Sequence, residues 1–498
     1  MTISKGKYCA GVQCLKRLYL LVYSPELAEE PDAAADAAAE AIIQQGHEVG
    51  MLARTLFPGG VEVDCSRGLA DAIRTTRELI ANPAVPAIFE GVFEYHNVVV
   101  KVDILHRRRD GRWRLIEVKS TSKAKDHHLE DVAIQYRVVS RSGVDVASAC
   151  LAHVNRNYVR GKSIDTKRFF RIRNVTRRIQ RLQPKLTFQL RSEFSVLEMP
   201  QPPDVKPGKH CTAPVTCEFF ERCNPPRPHD HIAFLPRVHA TAMEELEELG
   251  VELIRDIPED FELTEIQRRA AACVQSGEPW FDRDGLAEKL ATLRYPIAYL
   301  DFESLNPAIP RFSGMHPFDH ICFQFSLHIQ SEPGSAPEHY EFLATDASDP
   351  RREFITSLCS ALAQSGTIVV YSSFESQRLS DLSKWVPEFA DRITTIQARL
   401  FDLLPVVREH TYHPAYAGSY SIKSVLPALV PEMTYDGMEV ANGQAAGVAW
   451  ESLVRGGLNC DERDRIRKIL LDYCALDTLA MLRLLERLTR EARGENRQ

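Results

Sequence analysis

No apolar run in the chain approaches the roughly 20 residues that a bilayer span requires, and the opening residues MTISKGKYCAG lack the apolar core of a secretory signal. A membrane partner is therefore not expected, and the sequence reads as cytoplasmic. Internal repeats are absent, and low complexity is confined to an alanine-rich stretch at 33–41. No G-x4-G-K-[ST] phosphate loop occurs. The C-x2-C knuckles of most zinc sites are missing too, although the chain has 12 cysteines.

What is present describes a large globular protein. With 498 residues, 44% hydrophobic and 26% charged, the chain exceeds one ordinary core and should form two or three domains. The net charge of -7 argues weakly against a nucleic-acid partner, but it is unevenly spread. Residues 156–191 hold twelve Lys or Arg and one acid, Asp165, with Tyr158, Phe169, Phe170 and Phe188 interleaved. Such a stripe is either a solvated helix face or a phosphate-tracking groove whose aromatics stack on bases.

The stretch LIEVKSTSK at 115–123 places Glu117 and Lys119 on one face of an apolar strand. Alone, E-x-K reads as a surface ion pair. Upstream, AIFEGVFEYHNVVVKVDILHRRRDGRWRLIEVK reads as three antiparallel strands with turns at His96-Asn97 and Asp110-Gly111. A three-residue loop 109–111, with Gly111 left-handed, pairs Arg108 with Arg112 and sets Asp103 opposite Glu117. Two carboxylates and a lysine then converge, a donor set suited to Mg²⁺ or Mn²⁺.

This D-x13-E-x-K hairpin resembles the PD-(D/E)XK nuclease superfamily. The following amphipathic helix, HHLEDVAIQYRVV, carries Gln135 where RecB-like members keep an active-site glutamine. By the same resemblance His47, in QQGHEVGMLARTLFPGG, is a further metal ligand. Glu90 reads equally as a sheet-surface acid.

HCTAPVTCEFFERC gives Cys211, Cys217 and Cys223 in a C-x5-C-x5-C pattern, and CLKRLYL offers Cys14 as a fourth ligand, with Cys9 as a competitor. One early cysteine and three late ones resemble the RecB-like iron–sulfur nucleases. The resemblance implies a 4Fe-4S cluster clamping the two ends of the domain. Zinc, or four unligated cysteines, are the alternatives. The other seven cysteines, such as Cys273 and Cys359, are expected in cores.

Farther on, IAYLDFES puts Asp301 and Glu303 on one face of an otherwise apolar strand, where a buried acid pair calls for neutralisation. Near the C-terminus, LLDYCALDTLAML puts Tyr473 and Asp477 four residues apart on one helical face. Strand D-x-E with a late Y-x3-D resembles the DnaQ-like, RNase H-fold exonucleases of the DEDDy type. There the acids hold two metals and the tyrosine positions the attacking water. The remaining acid falls at Glu375 in VVYSSFESQRL, longer than the usual Asp, with Asp381 a weaker candidate. Lys423, in GSYSIKSVLP, is a candidate phosphate contact or a surface lysine.

The expected fold is thus a multidomain α/β one: a RecB-like PD-(D/E)XK domain with an iron–sulfur cluster over 1–225, a helical connector over 226–288, and a DnaQ-like RNase H-fold domain over 289–498. The combination resembles bacterial proteins commonly described as a domain of unknown function. It implies a metal-dependent nuclease acting on DNA ends or single strands, in repair or defence, with a helicase or defence partner. One domain acting only as a clamp, and RNA as the substrate of the DnaQ-like domain, are alternatives.

Overall fold

A computed structural model describes residues 2–29, 33–440 and 442–495; of residues 33–38 only the backbone is described. The chain divides into two compact units. The first takes the residues before 30, then 39–225 and 306–319; the second takes 33–38, 226–305 and 320 onward. Both are α/β with mixed sheets.

The first unit is built on seven strands: β1 (Ile3–Ser4), β2 (Val61–Glu62), β3 (Ala87–Tyr95), β4 (Val98–Arg107), β5 (Trp113–Lys119), β6 (Val146–Val154) and β7 (Phe170–Asn174). Their order is β2-β3-β4-β5-β6-β7, with β1 lying parallel to the start of β4. β3, β4 and β5 form an antiparallel meander. The first turn is tight because His96 and Asn97 take left-handed φ of 48° and 61°, which matches the strand twist. The second is the three-residue loop: Arg108 N–H donates to Arg112 O at 2.8 Å, and Gly111 has φ 79°.

Strand β6 returns parallel to β5 after the crossover helix Asp126–Arg141. Leu129, Val132 and Val138 of that helix, with Ile179, Leu186 and Leu190 of helix Thr176–Leu197, share a core with Val100, Val102 and Leu115 of the sheet.

The segment 306–319, expected in the C-terminal domain, belongs to the first unit because its apolar residues are buried there. Ala308, Ile309 and Phe318 pack with Val49, Phe89, Ile104 and Phe169. Ala308 N–H donates to Gln45 Oε1 at 2.7 Å, and the Arg160 guanidinium donates to Pro310 O at 2.5 Å.

The second unit contains β8 (Trp280–Phe281), β9 (Ile297–Leu305), β10 (Ile321–Gln330), β11 (Glu338–Leu343), β12 (Thr367–Val370), β13 (Leu400–Asp402) and β14 (Thr411–Tyr412). Five of them form a sheet in the order β11-β10-β9-β12-β13; β8 and β14 pair separately. β10 runs antiparallel to β9 and β11, whereas β12 is parallel to both β9 and β13. Residues 226–288, expected as a separate connector, lie in this unit and contribute a small core of Ile232, Leu235, Leu246, Ile254 and Ala271.

Side chains of β9 alternate between two cores. Ala298, Leu300 and Phe302 join helices Arg351–Ala361 and Phe374–Trp385, while Ile297 and Tyr299 join the long helix Cys460–Ala492. Asp301 and Glu303 continue the Ile297–Tyr299 parity, which aims them at that long helix.

Two sequence expectations need correction here. Tyr158, Phe169 and Phe170 of the basic stripe are buried and stack edge-to-face on one another, so they cannot stack on bases; Phe188 alone of the four is exposed. Cys65 and Cys460 are exposed rather than in cores, because one lies in the loop after β2 and the other opens a helix.

Candidate active sites

In the second unit, Asp301, Glu303 and Asp477 offer carboxylate oxygens that all lie within 4.8 Å of one another. Among the described residues this is the one group of three or more His, Cys, Asp or Glu side chains so closely spaced. Glu303 and Asp477 are buried, and Asp301 is half-buried. Burial pushes the carboxyl pKa of each one up; the charge of Asp477 raises that of Asp301 further, and the charges of Asp301 and Asp477 raise that of Glu303. The Lys423 charge acts against this rise at Glu303 and at Asp477, yet both remain raised. Like charges this close cannot all ionise without a counter-charge, and a divalent cation with oxygen preference supplies one.

The surroundings complete the pocket. Tyr473 sits one turn before Asp477 on the same helix, and Tyr435 donates its phenol to Asp477 Oδ1 at 2.6 Å. Burial, followed by the Asp477 charge, raises both phenol pKa values, so both remain proton donors at neutral pH. The Lys423 ammonium lies 5.3 Å from the Tyr435 ring centre and 5.4 Å from that of Tyr473. Cys474 places its thiol 3.5 Å from Asp301 Oδ2. The start of helix Gly443–Arg455 closes over Glu303 so tightly that a Cβ at Gly443 would lie 3.0 Å from Oε2.

Glu375 is buried in the first turn of helix Phe374–Trp385 but falls outside the tight trio. Its pKa is raised by burial and then by the Asp301 charge, and its Oε2 has no hydrogen-bond partner. Asp381 is engaged elsewhere, pairing with Arg378 at 2.9 Å and Lys384 at 3.2 Å.

The first unit brings Asp103, Glu117, Lys119 and Gln135 together, but with a different charge balance. The β4–β5 ladder stops at the Ile104–Ile116 pair, one step before Asp103 and Glu117. Beyond it the Val118 N–H donates to Asp103 Oδ2 at 2.7 Å, a side chain replacing the backbone partner. Glu117 is fully engaged: Lys5 and Lys119 each approach Oε1 at 2.9 Å, and Gln135 Nε2 donates to Oε2 at 2.5 Å. Burial would raise the pKa of Glu117, but the Lys5 and Lys119 charges and the Gln135 hydrogen bond hold it below the usual carboxylate range. Asp103 moves the other way, pushed up to about 7 by burial and by the charge of Glu117.

His47 lies on the exposed side of helix Ala33–Arg54 and does not join Asp103 and Glu117 in a close group. Glu90, at a left-handed φ of 57°, pairs with Arg54 at 2.6 Å and Lys101 at 2.7 Å.

Lys5, Asp131 and Tyr435 are the residues that sequence reasoning missed. Asp131 takes an ion pair from Lys119 and a hydrogen bond from the Cys9 thiol at 3.0 Å, which places Cys9 at this site. It precedes Gln135 by four residues on helix Asp126–Arg141, a spacing visible in the sequence. Lys5 and Tyr435 come from stretches without a periodic pattern and gave no such signal.

Cys14, Cys211, Cys217 and Cys223 line one pocket with Arg17, His210 and Phe220. Gln13 Nε2 donates to His210 O at 2.6 Å and Val215 O at 2.8 Å, and Arg17 pairs with Glu218 at 2.7 Å, tying the early segment to the late one. No three of the thiols lie within 4.8 Å of one another. A single tetrahedral zinc with bonds of about 2.3 Å needs its sulfurs about 3.8 Å apart.

Residues 298–421 match a family described as a domain of unknown function, DUF2779; the match opens on β9 and spans Asp301, Glu303 and Glu375, ending before Tyr473 and Asp477. The chain is also similar to "Uncharacterized protein UU173" of Ureaplasma parvum serovar 3, 25% identical over 232 residues, which is 41% of this chain and 33% of the relative. That match spans about a third of the relative's length. No helix among the described residues is long and apolar enough to cross a membrane.

Two measurements probe these sites. Lys5→Met leaves Glu117 with one cation and should cost about 3 kcal/mol of stability in chelator, read by urea denaturation, with part of the loss recovered by Mn²⁺. An unchanged midpoint would mean that Lys5 does not hold Glu117. For the acid trio, folded-state pKa values lie above the unfolded values near 4, so the folded form retains protons that the unfolded form has released. In chelator, the trio's contribution to stability therefore falls as pH rises through the raised values. Mn²⁺ needs the ionised carboxylates, so its gain in Tm should grow from about pH 5 to about pH 8 and vanish in Asp301→Asn. An equal gain at both pH values, or in the variant, would assign the metal to another site.

Proposed function

We propose that the protein is a divalent-metal-dependent nuclease whose primary metal centre is the Asp301, Glu303 and Asp477 trio. The observation that carries this reading is the close approach of three carboxylates, whose oxygens all lie within 4.8 Å of one another. The mixed five-stranded sheet with an acidic central strand and a late helix bearing Tyr473 and Asp477 supports assigning the second unit to the RNase H-like, DnaQ-type class. The meander with Asp103, Glu117, Lys119 and Gln135 supports the PD-(D/E)XK assignment of the first.

When bound, Mg²⁺ or Mn²⁺ supplies Lewis acidity toward a phosphoryl oxygen and toward water. The chain's own groups do the rest. Asp301, Glu303 and Asp477 would hold the metal; Tyr473 and Tyr435 present phenol protons that would orient a water against Asp477. Lys423 offsets charge on a scissile phosphate. In the first unit Lys119 would play that role, with Gln135 fixing the Glu117 carboxylate.

The substrate we infer is DNA, cut at single strands or ends, with repair or defence as the setting. A labelled single strand incubated with Mn²⁺ tests this. Asp301→Asn should lower nucleotide release by about a hundredfold or more. No cleavage of DNA or RNA by the intact protein would refute the nuclease reading.

A second reading, that the first unit only grips nucleic acid, is favoured by the neutralisation of Glu117 by two lysines. It holds if Glu117→Gln leaves cleavage unchanged while Asp301→Asn abolishes it.

The 4Fe-4S assignment is supported by the four cysteines lining one pocket, where no three thiols approach as closely as one tetrahedral zinc requires. Protein prepared without oxygen should contain iron and acid-labile sulfide, lost in Cys14→Ser and in Cys217→Ser. Zinc without iron in the wild type would overturn the assignment.

A further inference from the structure

The basic stripe has one end that its buried aromatics do not explain. Arg191, its last member, stands on helix Thr176–Leu197 beside a pocket of about 460 Å³ shared with Arg137 of helix Asp126–Arg141 and with the tip of the β3–β4 hairpin. The volume falls within the range of roughly 300–1,000 Å³ typical of small-ligand sites. Thr187, Leu190, Arg191, Phe194, Ser195 and Glu198 enter it from one side of the helix, at the three- and four-residue steps that define a helical face.

Three features specify the ligand. Arg137 and Arg191 form no ion pair or hydrogen bond with any described residue, so two guanidinium groups are available to an anion. Tyr95 and His96 stack on each other with ring centres 4.1 Å apart and planes 10° apart. That stack stands at the hairpin tip, held there by the left-handed φ of His96 and Asn97, and with Phe194 it gives the pocket aromatic surface. Ser195 adds a hydroxyl suited to a sugar, Thr187 adds a hydroxyl oxygen that can accept while its proton goes to Gln183 O, and Glu198 adds an acceptor for an exocyclic amino group. Arginine forks suit phosphate, and aromatic faces suit a base.

We propose that this pocket binds a nucleoside monophosphate unit, its phosphate against Arg137 and Arg191 and its base against the Tyr95–His96 stack and Phe194. The unit is either a free nucleotide or one residue of a single strand, since the two present the same chemistry. The pocket does not require either carboxylate site to be catalytic, and binding here involves no metal.

Equilibrium binding of deoxyadenosine 5′-monophosphate to the intact protein in chelator provides the test. Binding should weaken at least tenfold in Arg137→Ala and Arg191→Ala, and by as much when deoxyadenosine or ribose 5-phosphate replaces the nucleotide. Arg191→Lys should retain part of the affinity. Asp301→Asn and Glu117→Gln should bind as the wild type does, which separates this site from the proposed nuclease centres. A single-stranded oligodeoxynucleotide that displaces the nucleotide identifies a strand as the source; failure to compete identifies the free nucleotide, and either result upholds the site. The proposal is overturned if neither probe binds, or if the arginine variants, with circular dichroism and Tm unchanged, bind as tightly as wild type. Loss of binding in Asp301→Asn or Glu117→Gln but not in the arginine variants also overturns it.

Discussion

Repulsion among Asp301, Glu303 and Asp477 is the constraint on which the second unit is organised. Strand β9 is central in its sheet and apolar from Ile297 to Leu300, so its two carboxylates extend a packed face that solvates them poorly. The long C-terminal helix must pack on the same face to bury Ile297 and Tyr299, and in doing so it adds the third acid. Core formation and charge concentration are thus one event. A cluster of this kind opposes folding unless protons or a divalent ion neutralise it, and the phenols of Tyr435 and Tyr473 relieve only part of that charge.

The first unit solves the same electrostatic problem with its own side chains. Glu117 is more deeply buried than Asp301, yet two ammonium groups and an amide saturate its oxygens. Asp103 then bears the residual strain as a raised pKa and bonds to the Val118 amide where the ladder ends. A metal entering this site would have to compete with Lys5 and Lys119 for Glu117, whose pKa they hold low, whereas the acids of the trio keep raised pKa values even with the Lys423 charge acting on two of them. This difference is why the trio carries the functional reading and the first site is secondary to it.

Much of this arrangement was legible wherever side-chain periodicity decided it. The parity of β9 put Asp301 with Glu303, the four-residue step put Tyr473 with Asp477, and the loop length at Gly111 set the register that carries Asp103 opposite Glu117. Sites assembled by segments without a period were not legible. Lys5 reaches Glu117 across 112 positions from a helix that starts beside a two-residue strand, and Tyr435 reaches Asp477 from an irregular loop. The misassigned segment 306–319 failed for the same reason: its apolar residues have neither helical nor strand spacing, so only the core that receives Ala308 and Phe318 defines where they belong.

The N-terminal helices connect two features that the sequence presents separately. Helix Lys5–Gln13 begins with Lys5, and Cys14 is the residue that joins it to helix Leu15–Tyr23. That second helix is fastened to the C-terminal end of helix Thr176–Leu197 by phenol hydrogen bonds from Tyr19 to Met199 O and from Tyr23 to Leu197 O, and to the cysteine segment by Arg17. Cys14 comes nine positions after Lys5, and every residue from Lys5 to Gln13 lies within one helix, which transmits position with little slack. Whatever fixes Cys14 against Cys211, Cys217 and Cys223 therefore also fixes the ammonium that neutralises Glu117. Under the iron–sulfur reading, the cluster's structural role extends beyond joining chain ends: it sets the charge balance of the Asp103–Glu117 site from a distance, through a rigid helix rather than through its own field.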